Sequence, residues 1–343
     1  MTENFNIAGQ SIPPGSRHRF EFETARLYTN TPLNMPVEII NGRREGPSLL
    51  ICAAIHGDEL NGTEIIRRLS QLPVLERLRG TLVLVSVVNV FGFIHRSRYL
   101  PDRRDLNRCF PGSSSGSLGA RIANKFFTEF VIPCDRVIDL HTAAIHRDNH
   151  PQIRANLDNP EVAEMAKAFA IPIIINANLI ENSLRAEAIN NKTPVITYEA
   201  GEALRFDETA IVSGVRGIVN VMRGIGMLPR SRAARASSEP YVATSSSWER
   251  APIDGTFRNV TKLGAMVEKG QVLGYISSPS GDEEIEIKSR FEGILIGANK
   301  LPLVNEGEAL FHTAKFGEVG AVEEEIDTHV ATIETDPLFE NVN

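Results

Sequence analysis

The stretch PSLLICAAIHGDELNGTEIIRRLSQL, residues 47–72, decides the fold class of this chain. It begins as a near-continuous apolar run, breaks at a histidine, a glycine and two acids, and continues as an amphipathic segment. Such apolar runs are typical of strands buried on both faces of a parallel sheet, and the amphipathic pattern is typical of a covering helix. The stretch therefore predicts a strand–turn–helix unit with polar side chains at the end of the strand.

The same alternation continues along the chain. Further short runs rich in Val and Ile are TLVLVSVVNV (81–90), RVIDL (136–140), IPIIINA (171–177) and PVITYEA (194–200). Helix-like stretches lie between several of them, at residues 61–72, 119–131 and 160–170. The pattern predicts an α/β domain over residues 47–230, built on a largely parallel sheet that is covered on both faces.

The composition changes on either side of this domain. Residues 1–46 are polar and turn-rich, and the alternation in RHRFEFETARLY predicts an N-terminal edge segment with one or two strands. Residues 231–247 are rich in Ser, Ala and Arg, which indicates a linker. Residues 248–317 contain short strand-like runs punctuated by glycine, which predicts a small all-β module. Residues 318–343 are expected to form an acidic, mobile tail.

The totals exclude some classes of function. A length of 343 residues suggests two domains, and 36 Lys plus Arg against 43 Asp plus Glu give a net charge of −7. A mildly acidic chain without a basic block is a poor candidate for binding nucleic acid. No apolar run approaches the ~18 residues of a membrane helix, and the N-terminus does not resemble a secretory signal. We therefore expect no membrane partner and a cytoplasmic location, with the three cysteines as free thiols.

Four residues of the kinds that bind metals or transfer protons end three of the predicted strands. His56 and Glu59 follow the first run, His141 follows RVIDL, and Glu199 follows PVITY. Ligands of parallel α/β sheets collect at the carboxyl ends of the strands. Two imidazoles and one carboxylate, with a free position for water, are the ligand set of a catalytic zinc site. We therefore predict one Zn²⁺ per chain on His56, Glu59 and His141, with Glu199 as general base and acid.

Each of these residues also has a simpler interpretation. A histidine at a strand end is usually only a satisfied polar residue. Asp58 can be the N-cap of the following helix, with Glu59 placed to interact with the helix dipole. A glutamate before glycine, as at Glu199, is common at strand ends. The joint placement of the four residues is what favours a zinc site.

A second polar segment is SRYLPDRRDLNRCFPG, residues 97–112, whose prolines and glycine predict an ordered loop. A guanidinium is a rigid fork that matches a carboxylate, so Arg108 beside Asn107 is a candidate anchor for an anionic substrate. Arg98 is a candidate to stabilise an oxyanion, and Asp105 a candidate to orient one of these arginines. The alternative is a surface loop with salt bridges.

With these residues in hand, the chain resembles the succinylglutamate desuccinylase/aspartoacylase family, the amide-hydrolysing relatives of zinc carboxypeptidases. The motifs that carry the resemblance are HGDELNG, RRDLNRCFPG, DLHTA and YEAG. It implies a mixed sheet flanked by helices, with a zinc cleft at the C-terminal edge of the strands. The roles that it implies are zinc binding by His56, Glu59 and His141, catalysis by Glu199, contact with the scissile carbonyl by Arg98, and substrate binding by Asn107, Arg108, Asp105 and Arg185.

The C-terminal module resembles a lipoyl/biotinyl-type β-sandwich, through VEKGQVLGYI and EIKSRFEGIL. A carrier domain needs a lysine at the tip between these pieces, but the tip here is SPSGDEE, residues 278–284. The module is therefore predicted to be structural and to shape the cleft mouth or a subunit contact. The exposed β edges that such a module brings suggest a homo-oligomer.

The leading functional hypothesis is zinc-dependent hydrolysis of the amide bond of a small, anionic N-acyl amino acid. One alternative is a metallocarboxypeptidase acting on short peptides, which a cleft narrowed by the β module disfavours. Another is a catalytically inactive binding protein of the same fold, which the intact set of His56, Glu59, His141 and Glu199 disfavours. The acyl group and the amine are left open.

Overall fold

A computed structural model describes residues 3–230 and 239–338. Up to residue 230 the strands are β1 (Phe5–Ile7), β2 (Gln10–Ile12), β3 (Ser16–Arg26), β4 (Pro32–Asn41), β5 (Arg44–Ala53), β6 (Arg79–Val85), β7 (Arg136–Ala143), β8 (Arg147–Ala155), β9 (Ile173–Asn176) and β10 (Val195–Glu202). The helices of this part are α1 (Asn61–Ser70), α2 (Val90–His95), α3 (Leu118–Phe126), α4 (Pro160–Phe169), α5 (Leu184–Asn190) and α6 (Glu208–Gly224). Shorter helical turns span Pro73–Arg77, Leu106–Arg108 and Phe127–Val131.

After residue 238 the chain is mostly strand. The strands are β11 (Tyr241–Ala243), β12 (Ser245–Arg250), β13 (Gly255–Asn259), β14 (Met266–Val267), β15 (Val272–Ser277), β16 (Glu284–Lys288), β17 (Gly293–Asn299), β18 (Leu303–Val304) and β19 (Ala309–Lys315). A final helix, α7, spans Val319–Glu334. None of the helices in the described residues is long and apolar enough to cross a membrane.

One large mixed sheet organises the molecule, in the order β12-β19-β17-β8-β10-β7-β5-β6-β4-β3. Its four central strands, β10, β7, β5 and β6, pair in parallel. The flanking pairs are antiparallel, including β3 with β4, β10 with β8, and β17 with β8. Parallel pairing recurs on the branch where β9 pairs with β8 and with β11. The sheet is thus only partly parallel, and the mixed α/β sheet is confirmed.

The central strands are apolar along their whole length because helices cover both of their faces. Leu49 and Ile51 of β5 point into a cluster that includes apolar residues of α1, α4 and α6. Leu50 and Cys52, which alternate with them, point into a second cluster with residues of α3 and α5. Successive side chains of a strand point to opposite faces, so both sets must be apolar.

The large sheet forks at β8. This strand pairs with β17 through Arg147–Asn149 and with β9 through Ile153–Ala155. An apolar cluster fills the fork with residues of β9, β11, β17 and β19, and α7 adds Val319, Val322 and Ile326 to it. The segment expected to be a mobile acidic tail is therefore helical over Val319–Glu334 and buries one face. Residues 339–343 lie outside the described part of the chain.

The strands of residues 248–317 divide between two sheets. β16, β15, β13 and β18 form a four-stranded sheet of their own, whereas β12, β17 and β19 extend the large sheet. A cluster that includes Phe257, Ile276 and Phe311 packs between them. Of the segment predicted as a linker, residues 231–238 lie outside the described residues, and β11 and the start of β12 occupy residues 241–247.

Candidate active site

The parallel strands bring the four residues of the predicted site to one edge of the sheet. His56 lies three residues after the end of β5, while His141 and Glu199 lie within β7 and β10. Glu199 and His141 are directly opposite in the parallel register, so their side chains stand on the same face of the sheet. The topology alone thus places these groups together.

The turn after β5 explains the glycine that follows His56. A Cβ at Gly57 would lie 1.9 Å from the backbone carbonyl carbon of Gly92 in α2, so only glycine permits this contact. Helix α1 has Leu60 as its N-cap, without a capping side chain. The alternative in which Asp58 caps the helix is therefore wrong, and Glu59 precedes α1 rather than lying in its first turn.

Glu59 bridges the two histidines. Its Oε1 is 2.7 Å from Nδ1 of His56 and its Oε2 is 2.7 Å from Nδ1 of His141. All three side chains are buried, and one donor atom from each lies within 4.8 Å of the others. Burial alone raises the pKa of Glu59, but the two imidazoles outweigh it and hold the pKa well below its usual range. Two nitrogens and one carboxylate oxygen at this spacing are a donor set that fits zinc.

Each imidazole is oriented by a second carboxylate. Nε2 of His141 is 2.8 Å from Oδ2 of Asp139, and Nε2 of His56 is 3.1 Å from Oδ1 of Asp105. Carboxylates in this position fix the ring orientation of metal-binding histidines. Burial alone lowers the pKa of each histidine, but the neighbouring carboxylates outweigh it and raise the pKa. Sequence reasoning missed Asp139, although a residue two positions before His141 in a strand shares its face.

Asp105 orients Arg98 rather than Arg108. Nη2 and Nε of Arg98 donate to Oδ2 of Asp105 at 2.9 and 3.2 Å, and Nη1 lies 3.3 Å from Oε1 of Glu59. Burial raises the pKa of Asp105, but His56 and Arg98 outweigh it and lower the pKa well below its usual range. The guanidinium of Arg98 thus stands beside the candidate metal site.

Three further predicted residues supply hydrogen-bond donors. The side-chain oxygen of Asn107 accepts from the backbone N–H of Leu184 at 2.9 Å, which leaves its NH₂ group as the donor. Arg108 is exposed, and its Nη1 donates to the carbonyl of Asn107 at 2.6 Å. Arg185 is 9% exposed, and its buried Nη1 has no hydrogen-bond partner among the described residues. Burial lowers the pKa of Arg185.

Glu199 is held by two residues that sequence reasoning missed. Its Oε2 accepts from Nε of Arg154 at 2.9 Å and from the side-chain NH₂ of Asn149 at 3.1 Å. Both belong to β8, whose sequence RDNHPQIRA lacks the apolar pattern of a buried strand. The antiparallel register of β10 with β8 shifts between Glu199 and Gly201, and such irregularities re-aim side chains beside active sites.

The side chains of the site surround one cavity of about 220 Å³. It is lined by every predicted site residue except Asp105, which contacts His56 and Arg98 from outside the lining. Sequence reasoning did not anticipate Arg147 of β8 or Trp248 of β12 in the lining. Trp248 brings a strand of the C-terminal part of the chain into the cavity wall.

Comparisons with known proteins identify the family and the fold of the chain. The model of the succinylglutamate desuccinylase/aspartoacylase catalytic domain matches residues 45–225. An N-α-acetyl-L-2,4-diaminobutyric acid deacetylase of Halomonas elongata is 27% identical over 289 residues, 80% of this chain and 84% of the relative. A succinylglutamate desuccinylase/aspartoacylase from Rhodobacter sphaeroides superposes with a TM-score of 0.78, at 22% identity over 88% of this chain and 96% of that one. The product-bound ectoine utilization protein EutE (DoeB) from Ruegeria pomeroyi gives 0.76, at 23% identity over 87% and 95%.

Proposed function

The chain belongs to the succinylglutamate desuccinylase/aspartoacylase family, and on this premise we propose that it is a zinc-dependent amidohydrolase of a small N-acyl amino acid. One observation carries the proposal: the buried donor atoms of His56, Glu59 and His141 lie within 4.8 Å of one another, in a cavity that Glu199 also lines. A metal-binding group next to an independent carboxylate is the combination that metal-assisted amide hydrolysis requires.

His56, Glu59 and His141 would hold the zinc. When bound, Zn²⁺ supplies a Lewis acid that makes hydroxide available near neutral pH and polarises a carbonyl. Asp139 and Asp105 hold Nε2 of His141 and of His56, respectively. The two aspartates would therefore keep both imidazoles in the orientation that presents Nδ1 to the metal.

Glu199 would transfer the proton. Its Oε2 is engaged by Arg154 and Asn149, and Oε1 has no hydrogen-bond partner among the described residues. Oε1 is therefore the atom that accepts a proton from the attacking water and delivers it to the amine nitrogen as the C–N bond breaks. Arg98 would face the scissile carbonyl and stabilise the negative charge that develops on its oxygen.

The substrate is a small anion in this proposal. Asn107, Arg108 and Arg185 offer N–H donors to a carboxylate, and Arg185 has a buried donor without a partner among the described residues. A cavity of about 220 Å³ favours a small acyl amino acid over a peptide. The relative from Halomonas elongata, a deacetylase of an acetylated diaminobutyric acid, supports a small N-acyl amino acid with a free carboxyl group as the substrate.

The proposal also covers the C-terminal β module, the location of the protein and its oligomeric state. We assign a lipoyl-like β-sandwich without a prosthetic group to residues 248–317, because the described tip between β15 and β16 contains no lysine. We also propose a cytoplasmic location. We further propose a homo-oligomeric state, which size-exclusion chromatography with light scattering tests directly.

Metal analysis tests the zinc site. The purified protein should contain one zinc per chain, and His56→Ala and His141→Ala should each lose it. His146→Ala is the matched control, because His146 is exposed and does not line the cavity. Full zinc content in both ligand variants would overturn the assignment.

Turnover tests the role of Glu199. The substrates to be assayed are N-acetyl and N-succinyl amino acids, N-α-acetyl-L-2,4-diaminobutyric acid and dipeptides. Glu199→Gln should keep zinc and lose most of kcat, whereas Glu202→Gln, a change on the same strand outside the cavity lining, should keep both. Preferred cleavage of the dipeptides would favour a carboxypeptidase instead, and normal kcat in Glu199→Gln would reject the proposed base.

A further inference from the structure

A second cavity, of about 390 Å³, lies between β8, the start of α6, the turn before β14 and helix α7. Three of these elements contribute acids to its lining, and the four acids are Asp148, Asp207, Glu323 and Asp327. Lys262 is the one lysine or arginine among the described residues of the lining. Leu263, Ile326 and Val330 add an apolar wall. The second cavity is therefore acidic, whereas the candidate active site is lined by five arginines and three acids.

Most of the negative charge in the second cavity has no counter-charge. Of the four acids, Asp148 is the one that forms an ion pair within the described part of the chain, with Nζ of Lys300 at 2.6 Å from its Oδ2. Burial raises the pKa of Asp207, and the charge of the nearby Asp148 raises it further. A carboxylate in such surroundings is stabilised by a cation that binds next to it. The second cavity thus has the electrostatic properties of a site for a positively charged group.

His150 distinguishes the second cavity from an ordinary acidic surface. Its side chain lines the cavity and is only 6% exposed. Nδ1 lies 3.2 Å from the carbonyl oxygen of Pro151, and because a carbonyl can only accept, Nδ1 carries the proton of the neutral ring. Nε2 is then an acceptor, and no described residue donates a hydrogen bond to it. Buried polar atoms normally have a partner, so this nitrogen indicates a ligand that brings a donor.

The turn before β14 keeps this nitrogen accessible from the second cavity. Gly264 of the turn also lines the cavity, and its φ is +86°. A Cβ at Gly264 would lie 2.9 Å from Cδ2 and 3.2 Å from Nε2 of His150. Any other residue would therefore cover the edge of the imidazole that carries the free acceptor. Glycine satisfies the backbone conformation and leaves that edge open.

The chemistry of the lining fits an organic ammonium better than a metal ion. Within the described residues, three His, Cys, Asp or Glu donor atoms converge within 4.8 Å only at His56, Glu59 and His141. The acids of the second cavity and His150 form no such group. An ammonium carries three N–H donors and no acceptor, so it complements a lining that offers carboxylates and a neutral imidazole acceptor. The apolar wall suits a short alkyl chain attached to that ammonium.

We propose that the second cavity binds a small aliphatic amine in its ammonium form. Nε2 of His150 accepts one of its N–H groups, and Asp207 supplies a counter-charge. The alkyl chain lies against Ile326 and Val330. The N-acylated form of the same amine is rejected, because it has lost the positive charge and two of the three donors. None of the acids of the second cavity lines the candidate active site, so this inference does not depend on the proposed function.

A ligand-observed NMR titration of the full-length protein with n-butylamine tests the site. N-butylacetamide has the same chain without the charge, and butyrate has the opposite charge; the ionic strength is held constant throughout. n-Butylamine should bind saturably with a Kd of about 1 to 10 mM, as expected for so small a ligand. Both comparison compounds should bind at least about tenfold more weakly. No saturable binding of n-butylamine, or equal binding of N-butylacetamide, would overturn the proposal.

Variants assign the binding to the second cavity. His150→Leu and Asp207→Asn should each weaken n-butylamine binding at least about fivefold. Asn can still cap α6 as Asp207 does, so Asp207→Asn remains informative if His150→Leu does not fold. Asp158→Asn, an exposed change outside the cavity, and Glu199→Gln, a change in the candidate active site, should both keep the wild-type Kd. Wild-type affinity in Asp207→Asn, or lost affinity in Glu199→Gln, would place the amine elsewhere and overturn the proposal.

Discussion

Arg154→Met tests whether the hydrogen bond from Arg154 of β8 to Glu199 affects the rate of the proposed reaction. Arg154 and Glu199 are 27% and 20% exposed, and Nε lies 2.9 Å from Oε2. A hydrogen bond to a charged group contributes about 1.5–3 kcal/mol, and each ~1.4 kcal/mol is a factor of ten. Because Asn149 remains as a second donor to the same oxygen, we expect kcat/KM to fall by about 10- to 100-fold.

The assay is steady-state hydrolysis of the best of the assayed substrates by protein of measured zinc content. The loss should appear mainly in kcat, because the interaction positions a proton-transferring group rather than the substrate. Arg154→Lys, which can still donate one bond, should recover part of it. Arg136→Met is the control, since Arg136 pairs with Glu161, a residue 56% exposed and outside the cavity. Unchanged kcat in Arg154→Met, with zinc retained, would refute the reasoning.

Three further changes probe the scaffold. Gly57→Ala should destabilise the protein by about 3 kcal/mol in urea unfolding, because its Cβ would meet the backbone of Gly92 at 1.9 Å; a loss below about 1 kcal/mol would contradict this. Phe169→Ala removes a fully buried ring stacked 5.0 Å from Tyr198 and should cost about 3–5 kcal/mol, whereas Phe206→Ala, an exposed position, should be nearly neutral. Burial lowers the pKa of His150 to about 4, so its unfolded form takes up a proton first as the pH falls. Stability from this group is complete above about pH 6.5 and declines by up to roughly 3 kcal/mol toward pH 4. His150→Gln should flatten that part of the unfolding profile, and an equally steep profile would contradict the argument.

The central part of the fold follows from the sequence because it obeys one simple rule. Strands buried on both faces must be apolar throughout, and β5, β6, β7, β9 and β10 all appear as short runs rich in Val, Ile or Leu. The polar residues that end such runs stand out against them. His56, His141 and Glu199 are visible for that reason, and the parallel order of the strands brings them to one edge.

The rest of the site depends on strands that the sequence hides. β8 carries Arg147, Asn149 and Arg154 into the cavity, so its residues are polar where a buried strand is usually apolar. Trp248 reaches the cavity through pairing of β12 with β19, a contact between distant parts of the chain. No local pattern encodes such pairings. The acidic composition of residues 318–334 likewise suggests a tail, although the apolar spacing of Val319, Val322 and Ile326 fits a helix that covers the fork.

The fork at β8 also has a consequence for the order in which parts of the site are translated. The turn that carries His56 and the strands that carry His141 and Glu199 are translated before residue 203, as are β8 and β9. The branch formed by β17, β19 and β12 is complete only after residue 315, and the helix that plugs the fork follows at Val319–Glu334. A nascent chain can therefore present its candidate zinc ligands while one wall of the cavity has yet to be translated.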